Sequence, residues 1–239
     1  MRDYDDKLSD YSLAARDKSA AEAQALLDRL KAIPDAGLTD AGRANKGVLS
    51  RILSEQIESN HFGQRLMLFT TYSSPHQGFA DLGSYVPLYT AADYRSYPTR
   101  LAQFPKINAD INSITRQAIA KGFVQPCEAM NGFETTITGA IAGKPEDTRF
   151  YEPFKRNKPN DVSDADWAAM KAEGLRIIRD VLTPAYQQFS DFYVKEYKPK
   201  CAAKVGVSYQ PGGKDYYAFQ ARSHTTTDLT PAHIHDIGL

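Results

Sequence analysis

The chain has 239 residues, with 29 basic and 29 acidic side chains, a formal charge of zero at pH 7 and 42% hydrophobic residues. A chain this long buries roughly 70% of its unfolded surface, so a sizeable core is expected. The charge balance excludes bulk electrostatic attraction to nucleic acid or to a membrane surface.

The N-terminal run from Met1 to Lys7 is charged and no apolar stretch follows it. No signal peptide is therefore read in this chain. No apolar run approaches the roughly 18 residues of a spanning helix, so no membrane span is expected. Residues 1–18 are expected to be loosely ordered, ahead of a single helical domain over 19–239.

Thr39 is a candidate cap for a helix whose apolar side is Val48, Leu49, Ile52, Leu53 and Ile57. The segment from Gly83 to Thr90 reads as a loop. Thr90 and Asp93 form a capping pattern ahead of Tyr94, Tyr97, Leu101 and Phe104. Pro98 interrupts that run and predicts a kink or an early stop. Ile107, Ile111, Ile114 and Ala118 follow at helical spacing, with Gly122 as the stop. The segment from Gly143 to Asn160 reads as a loop. Ser163 and Asp166 open a long helix carrying Trp167, Met170, Ile178, Leu182, Ala185, Phe189, Phe192 and Tyr193, and Thr183-Pro184 should bend or break it. Val205 to Tyr209 is a candidate short extended piece. Thr230-Pro231 is a helix start, with Ile234 and Ile237 on one face. The fold class is mainly α: a multi-helix array of long antiparallel helices with long loops.

No spacing of chemistry-bearing residues forms a motif. The histidines are His61, His76, His224, His233 and His235, and none are four apart. His233 and His235 lie about 200° apart around a helix and cannot chelate one ion from it. Gly213-Lys214 continues with Asp215, so no phosphate loop is present, and no nucleophile elbow occurs. A carboxylate-pair hydrolase would draw on Glu128, Glu134, Glu146 or Glu152 and needs two carboxylates roughly 5–10 Å apart in a cleft. Cys127 and Cys201 are either unrelated buried thiols or a disulfide, and each follows a proline closely, which places both at helix ends. No metal site and no cofactor are read from this chain alone.

Most of the 14 tyrosines read as core packing. Tyr216 and Tyr217, beside the Pro211-Gly212-Gly213 turn, and His224 and Thr225, at the hydroxyl-rich Thr225-Thr226-Thr227, differ. Aromatics next to a polar loop make a reasonable site edge, so these four are candidate substrate contacts.

Several blocks resemble a known family. They are Phe62-Gly63-Gln64-Arg65, Phe69-Thr70-Thr71-Tyr72-Ser73, His76-Gln77-Gly78-Phe79, Val124-Gln125-Pro126-Cys127, Arg149-Phe150-Tyr151-Glu152-Pro153-Phe154, Pro184-Ala185-Tyr186 and the stretch from Pro211 onward. Together they resemble the bacterial domain of unknown function 885, continuously from about residue 20 to Leu239. His233, where an acidic residue is expected, and Pro98, inside a family helix, depart from the pattern.

The resemblance implies a distant relation to helical zinc metallopeptidases. It also implies a longer, two-lobed protein of the periplasm or cell envelope whose zinc motif lies in a C-terminal catalytic half. This chain then matches the N-terminal scaffold and substrate-groove half, with the C-terminal half as partner, a peptide as substrate and no zinc ligand of its own. The family's two cysteine positions match Cys127 and Cys201, which favours the disulfide in an exported protein. The alternative is a non-catalytic helical module that binds a peptide or a protein.

Overall fold

A computed structural model describes residues 6–70 and 72–239. Among these residues the protein is all-α, with no strand. Thr71, within one of the family-like blocks, and residues 1–5 of the expected loose N-terminus lie outside the described residues. Ser12 caps α1 (Leu13–Lys31), so helical structure begins inside the 1–18 segment. No helix among the described residues is long and apolar enough to cross a membrane.

Helices α1 and α2 (Asp40–Ser59) form an antiparallel hairpin. Thr39 caps α2 by accepting from the Gly42 N–H. Ala23, Leu27 and Leu53 are buried between the two helices, with Leu30 and Ile57 packed against them. Gln56 donates to Ser19 Oγ at 2.9 Å and Asn60 to Asp17 at 3.0 Å, which fixes their register. The expected apolar side of α2 is corrected here. Val48, Leu49 and Ile52 are 60%, 45% and 54% exposed, because α2 leans on α1 through Leu53 and Ile57 instead.

The rest of the chain wraps one aromatic core. The short helices α3 (Pro75–Ala80) and α4 (Leu82–Tyr85) lead to α5 (Ala91–Leu101), which opens with a full capping box at Thr90 and Asp93. Helix α5 runs through Pro98 and ends three residues later, after which the chain restarts as α6 (Phe104–Lys121). The early stop keeps Tyr94, Tyr97, Leu101 and Phe104 all within 1% exposure. Gly122 closes α6 with φ 79°, a left-handed conformation that favours glycine. Helix α7 (Phe133–Thr138) follows. The expected loops hold helical turns: α4 lies in the first, and two 3-10 turns, Pro145–Asp147 and Arg149–Lys155, lie in the second.

The long C-terminal helix corrects the reading of Pro184. Helix α8 (Asp164–Ile177) passes through a π turn at Ile178–Leu182 into α9 (Thr183–Phe192) without breaking. A proline lacks the N–H for the preceding turn, and its ring clashes with the carbonyl four residues back. Here the turn widens. The Thr183 N–H reaches back five residues to Ile178 O, and the Thr183 hydroxyl donates to the same carbonyl at 2.9 Å. A second π turn, Tyr193–Tyr197, sits ahead of Pro199 in the same way. The core face of this helix, from Ile177 through Leu182, Tyr186 and Phe189 to Tyr197, therefore stays continuous and buried.

Each buried tyrosine finds a backbone partner. Tyr94, Tyr97, Tyr186 and Tyr193 donate to the carbonyls of Pro153, Phe150, His76 and Met130, and Tyr197 accepts from the Gln125 N–H at 3.0 Å. Core packing holds for these five, and their hydroxyls tie the irregular loops to the helices.

Candidate functional site

The last third of the chain returns across the start of the body. A disulfide joins Cys127 and Cys201, 74 residues apart in sequence, and both cysteines flank short 3-10 turns. Beside it, Ala202 N–H donates to Gln125 O and Cys127 N–H to Ala202 O, each at 2.9 Å. The expected extended piece is instead a 3-10 turn, Val207–Tyr209. A local i→i+3 bond from Gln210 N–H to Val207 O replaces any strand pairing. Helix α10 (Gly213–Thr225) starts directly against that turn: a Cβ on Gly213 would overlap Val207 O. Thr230 caps α11 (Pro231–Ile237) by accepting from His233 N–H at 3.2 Å.

The four candidate residues divide between two places. Tyr216 lines a groove of about 380 Å³ together with Gln64, Gln125 and Gln210. Tyr217 and His224, seven residues apart, share an exposed stripe of α10, and Thr225 is exposed at its C-terminal end. Tyr216 and Tyr217 are adjacent in sequence and so point in different directions on the helix, and only the first reaches the groove. Tyr216 packs edge-on against Phe62, with ring centroids 5.4 Å apart, and Phe219 anchors the same face.

The C-terminal end of α10 is clasped by α2. Arg51 donates to Arg222 O at 2.7 Å and Ser223 O at 3.1 Å, carbonyls of the last turn, where helix ends leave acceptor capacity; Arg222 O also accepts from the Thr226 N–H at 3.0 Å. Arg222 pairs with Glu58 at 2.6 Å, and the Ser223 hydroxyl donates to Glu55 at 2.9 Å. Burial pushes the Glu55 carboxyl up, but the hydrogen bonds from Arg51 and Ser223, with the charges of Arg51 and Arg222, outweigh it and hold the group below its ordinary value. Hydrogen bonding to Glu58 raises the Arg222 guanidinium. The clasp occupies one side of α2 and the hairpin contact another. Val48 and Ile52 fall between them, Leu49 lies at the edge of the hairpin contact, and all three are largely exposed.

Among the described residues, no group of three or more His, Cys, Asp or Glu side chains could hold a metal ion. His76 is buried in the core, packed against Phe133 and Phe189, with Nε2 2.9 Å from Thr136 Oγ1. Burial pushes its pKa down to about 4. Of the four weighed glutamates, Glu134 pairs with Lys198 and Glu152 with Lys155 at the surface, while Glu128 and Glu146 are exposed. No sequence pattern groups the groove glutamines as a set. Gln64 and Gln125 sit inside family-like blocks, but a lone glutamine carries no chemical signature in sequence, and only the fold brings three of them together.

An all-α body with a clasped C-terminal helix and an uncharged groove is thus the class of protein that the fold defines. The chain belongs to the family described as "Bacterial protein of unknown function (DUF885)", whose model matches residues 1–239. A similar solved structure is the crystal structure of "the putative lipoprotein from Colwellia psychrerythraea", with a TM-score of 0.86 and 17% identity. The alignment covers 98% of this chain and 42% of that one, and at this identity the likeness shows the fold alone. No curated protein matches the chain.

Proposed function

We propose that this chain is the N-terminal scaffold and substrate-groove half of a longer, peptidase-like hydrolase, and that it is inactive alone. The observation that carries the reading is the exposed group of Val48, Leu49 and Ile52, set beside a clasp that holds the end of α10. Apolar residues grouped on an exposed face are what a contact surface requires. The similar structure's greater length supports a further lobe as its occupant. Zinc and a catalytic glutamate belong, by family resemblance, to that lobe. Among the described residues no group fits a zinc site, and no step is assigned to them.

In this reading Tyr216, Tyr217, His224 and Thr225 face substrate or the second lobe. The likeness to a lipoprotein structure and the disulfide support an envelope location for the intact protein.

The test is hydrolysis of a broad peptide panel by the 239-residue chain, with and without zinc after chelator treatment. No cleavage is expected in either arm. Cleavage that survives chelation would overturn the assignment. In the longer protein, Ile52→Glu should lower both activity and the association of the two lobes, and an unchanged activity with an unchanged melting temperature would remove the stripe from the interface.

A further inference from the structure

The groove beside Tyr216 is built from the tightest backbone approaches in this part of the molecule. Gly63 begins one wall, and a Cβ there would overlap the Phe123 ring. Gly213 begins the helix that carries Tyr216, and a Cβ there would overlap Val207 O. Gly206 lines the groove with φ 108°, a backbone conformation that L side chains rarely adopt. The disulfide and the Gln125–Ala202 hydrogen bond sew the remaining wall to the body. These constraints together hold the shape of one concavity, whose 380 Å³ lies within the roughly 300–1,000 Å³ of small-ligand sites.

Its chemistry is equally specific. Among the described residues, no charged side chain lines it. Met67, Pro126 and Val207 supply apolar surface, and the amides of Gln64, Gln125 and Gln210 supply polarity. Gln125 is anchored by donation to Phe69 O at 3.1 Å. Gln64 is held weakly, by Nε2 contacts of 3.4 Å to Gln210 Oε1 and to Pro211 O, and its Oε1 is buried with no partner in the protein. An unmet buried carbonyl is costly, and a ligand N–H relieves that cost once the amide rotates out of its two long contacts.

We propose that this groove binds a short, extended peptide segment whose side chains carry no charge. This deepens the scaffold reading, on which any role in hydrolysis rests, by naming the ligand class. A peptide backbone offers N–H and C=O groups in alternation, which amide side chains match in both roles, while apolar surface takes the side chains. Tyr216 is half-buried and already packed on Phe62 and Phe219, so it offers little free ring face for a saccharide to stack on. With no counter-charge present, a charged ligand side chain would be desolvated without compensation.

The test is titration of the 239-residue chain, followed through its glutamine side-chain amide NMR signals. The probes are N-acetylated, C-amidated Ala-Val-Ala, the same peptide with Glu or Lys at its centre, and a trimer of N-acetylglucosamine. Saturable shifts of the Gln64, Gln125 and Gln210 signals are expected with the neutral peptide, and binding at least tenfold weaker with either charged one. Gln64→Leu should weaken the neutral peptide about tenfold. Ala129→Trp, which fills the groove from an exposed position on its rim, should abolish binding with the melting temperature unchanged. Equal binding of neutral and charged peptides, saturation by the saccharide alone, wild-type affinity in both variants, or no saturable shift would each overturn the proposal. Peptide binding without cleavage leaves the scaffold reading intact. Cleavage by this chain would overturn that reading and leave the groove assignment standing.

Discussion

The aromatic body and the α1–α2 hairpin use apolar residues in opposite ways. In the body, apolar side chains from α3 to α9 converge on one core, and rings such as Phe104 and Tyr186 stack at 4.4 Å. In the hairpin, Ala23, Leu27 and Leu53 are buried, while Leu26, Val48, Leu49 and Ile52 remain exposed. The body buries its apolar side chains against one another, and the hydroxyls of Tyr94, Tyr97 and Tyr186 close on backbone carbonyls. The hairpin is held to the rest of the chain at its edges by polar contacts, among them Arg16 to Arg65 O and the Arg51 clasp. The difference teaches that apolar periodicity alone does not locate a core, because a helix can turn the same kind of face to a neighbour or to solvent.

Four measurements sharpen or break this contrast. The largest effect is expected from Cys127→Ser with Cys201→Ser. Losing a 74-residue cross-link should cost about 4 kcal/mol on the chain-entropy account. Chemical denaturation of the reduced and oxidised protein measures it, and equal midpoints would show that the link constrains nothing.

Next is acid stability. Burial depresses His76, so the folded state resists its protonation while the unfolded chain accepts it. Its contribution is fully present above the unfolded value of 6.5 and is lost as pH falls toward about 4. The body should lose up to about 3 kcal/mol across that window. Denaturation midpoints at pH 7 and pH 4.5, for the wild type and for His76→Phe, check the sign: the variant's profile should be flatter.

Arg51→Ala comes third. It strips two hydrogen bonds from the carbonyls of α10 and removes the guanidinium paired with Glu55, for about 1–2 kcal/mol. Hydrogen exchange should speed up in α10 and α2 and not in α6. Uniform acceleration would mean that the hairpin and body unfold together and that the contrast is false. The smallest effect is Ile52→Ser, expected within about 0.5 kcal/mol because the side chain is already in solvent. A cost above about 2 kcal/mol would show that the stripe is covered.

Much of the helical frame was legible from local chemistry. Thr39, Thr90, Ser163 and Thr230 each cap the helix they were expected to cap, because a cap is a contact between a side chain and an N–H two or three residues away. Gly122 stops α6 for an equally local reason. The failures also have local explanations. Pro184 reads as a break unless a widened turn with Thr183 behind it is foreseen, and Val205–Tyr209 alternates like a strand with no strand to pair with.

Of the candidate site, sequence singled out Tyr216 by its place after a glycine turn, and its groove did not follow from that. The amino-acid sequence by itself determined the all-α class, the caps, the aromatic richness of the core and the balanced charge. The tertiary structure alone decided that Gln64, Gln125 and Gln210 share one concavity, that Arg51 reaches α10 from 171 residues away, and that Val48, Leu49 and Ile52 face solvent. Caps and periodicity act over one turn of chain. Grooves and bare faces arise from which surfaces meet, and chain topology sets that over distances no local pattern spans.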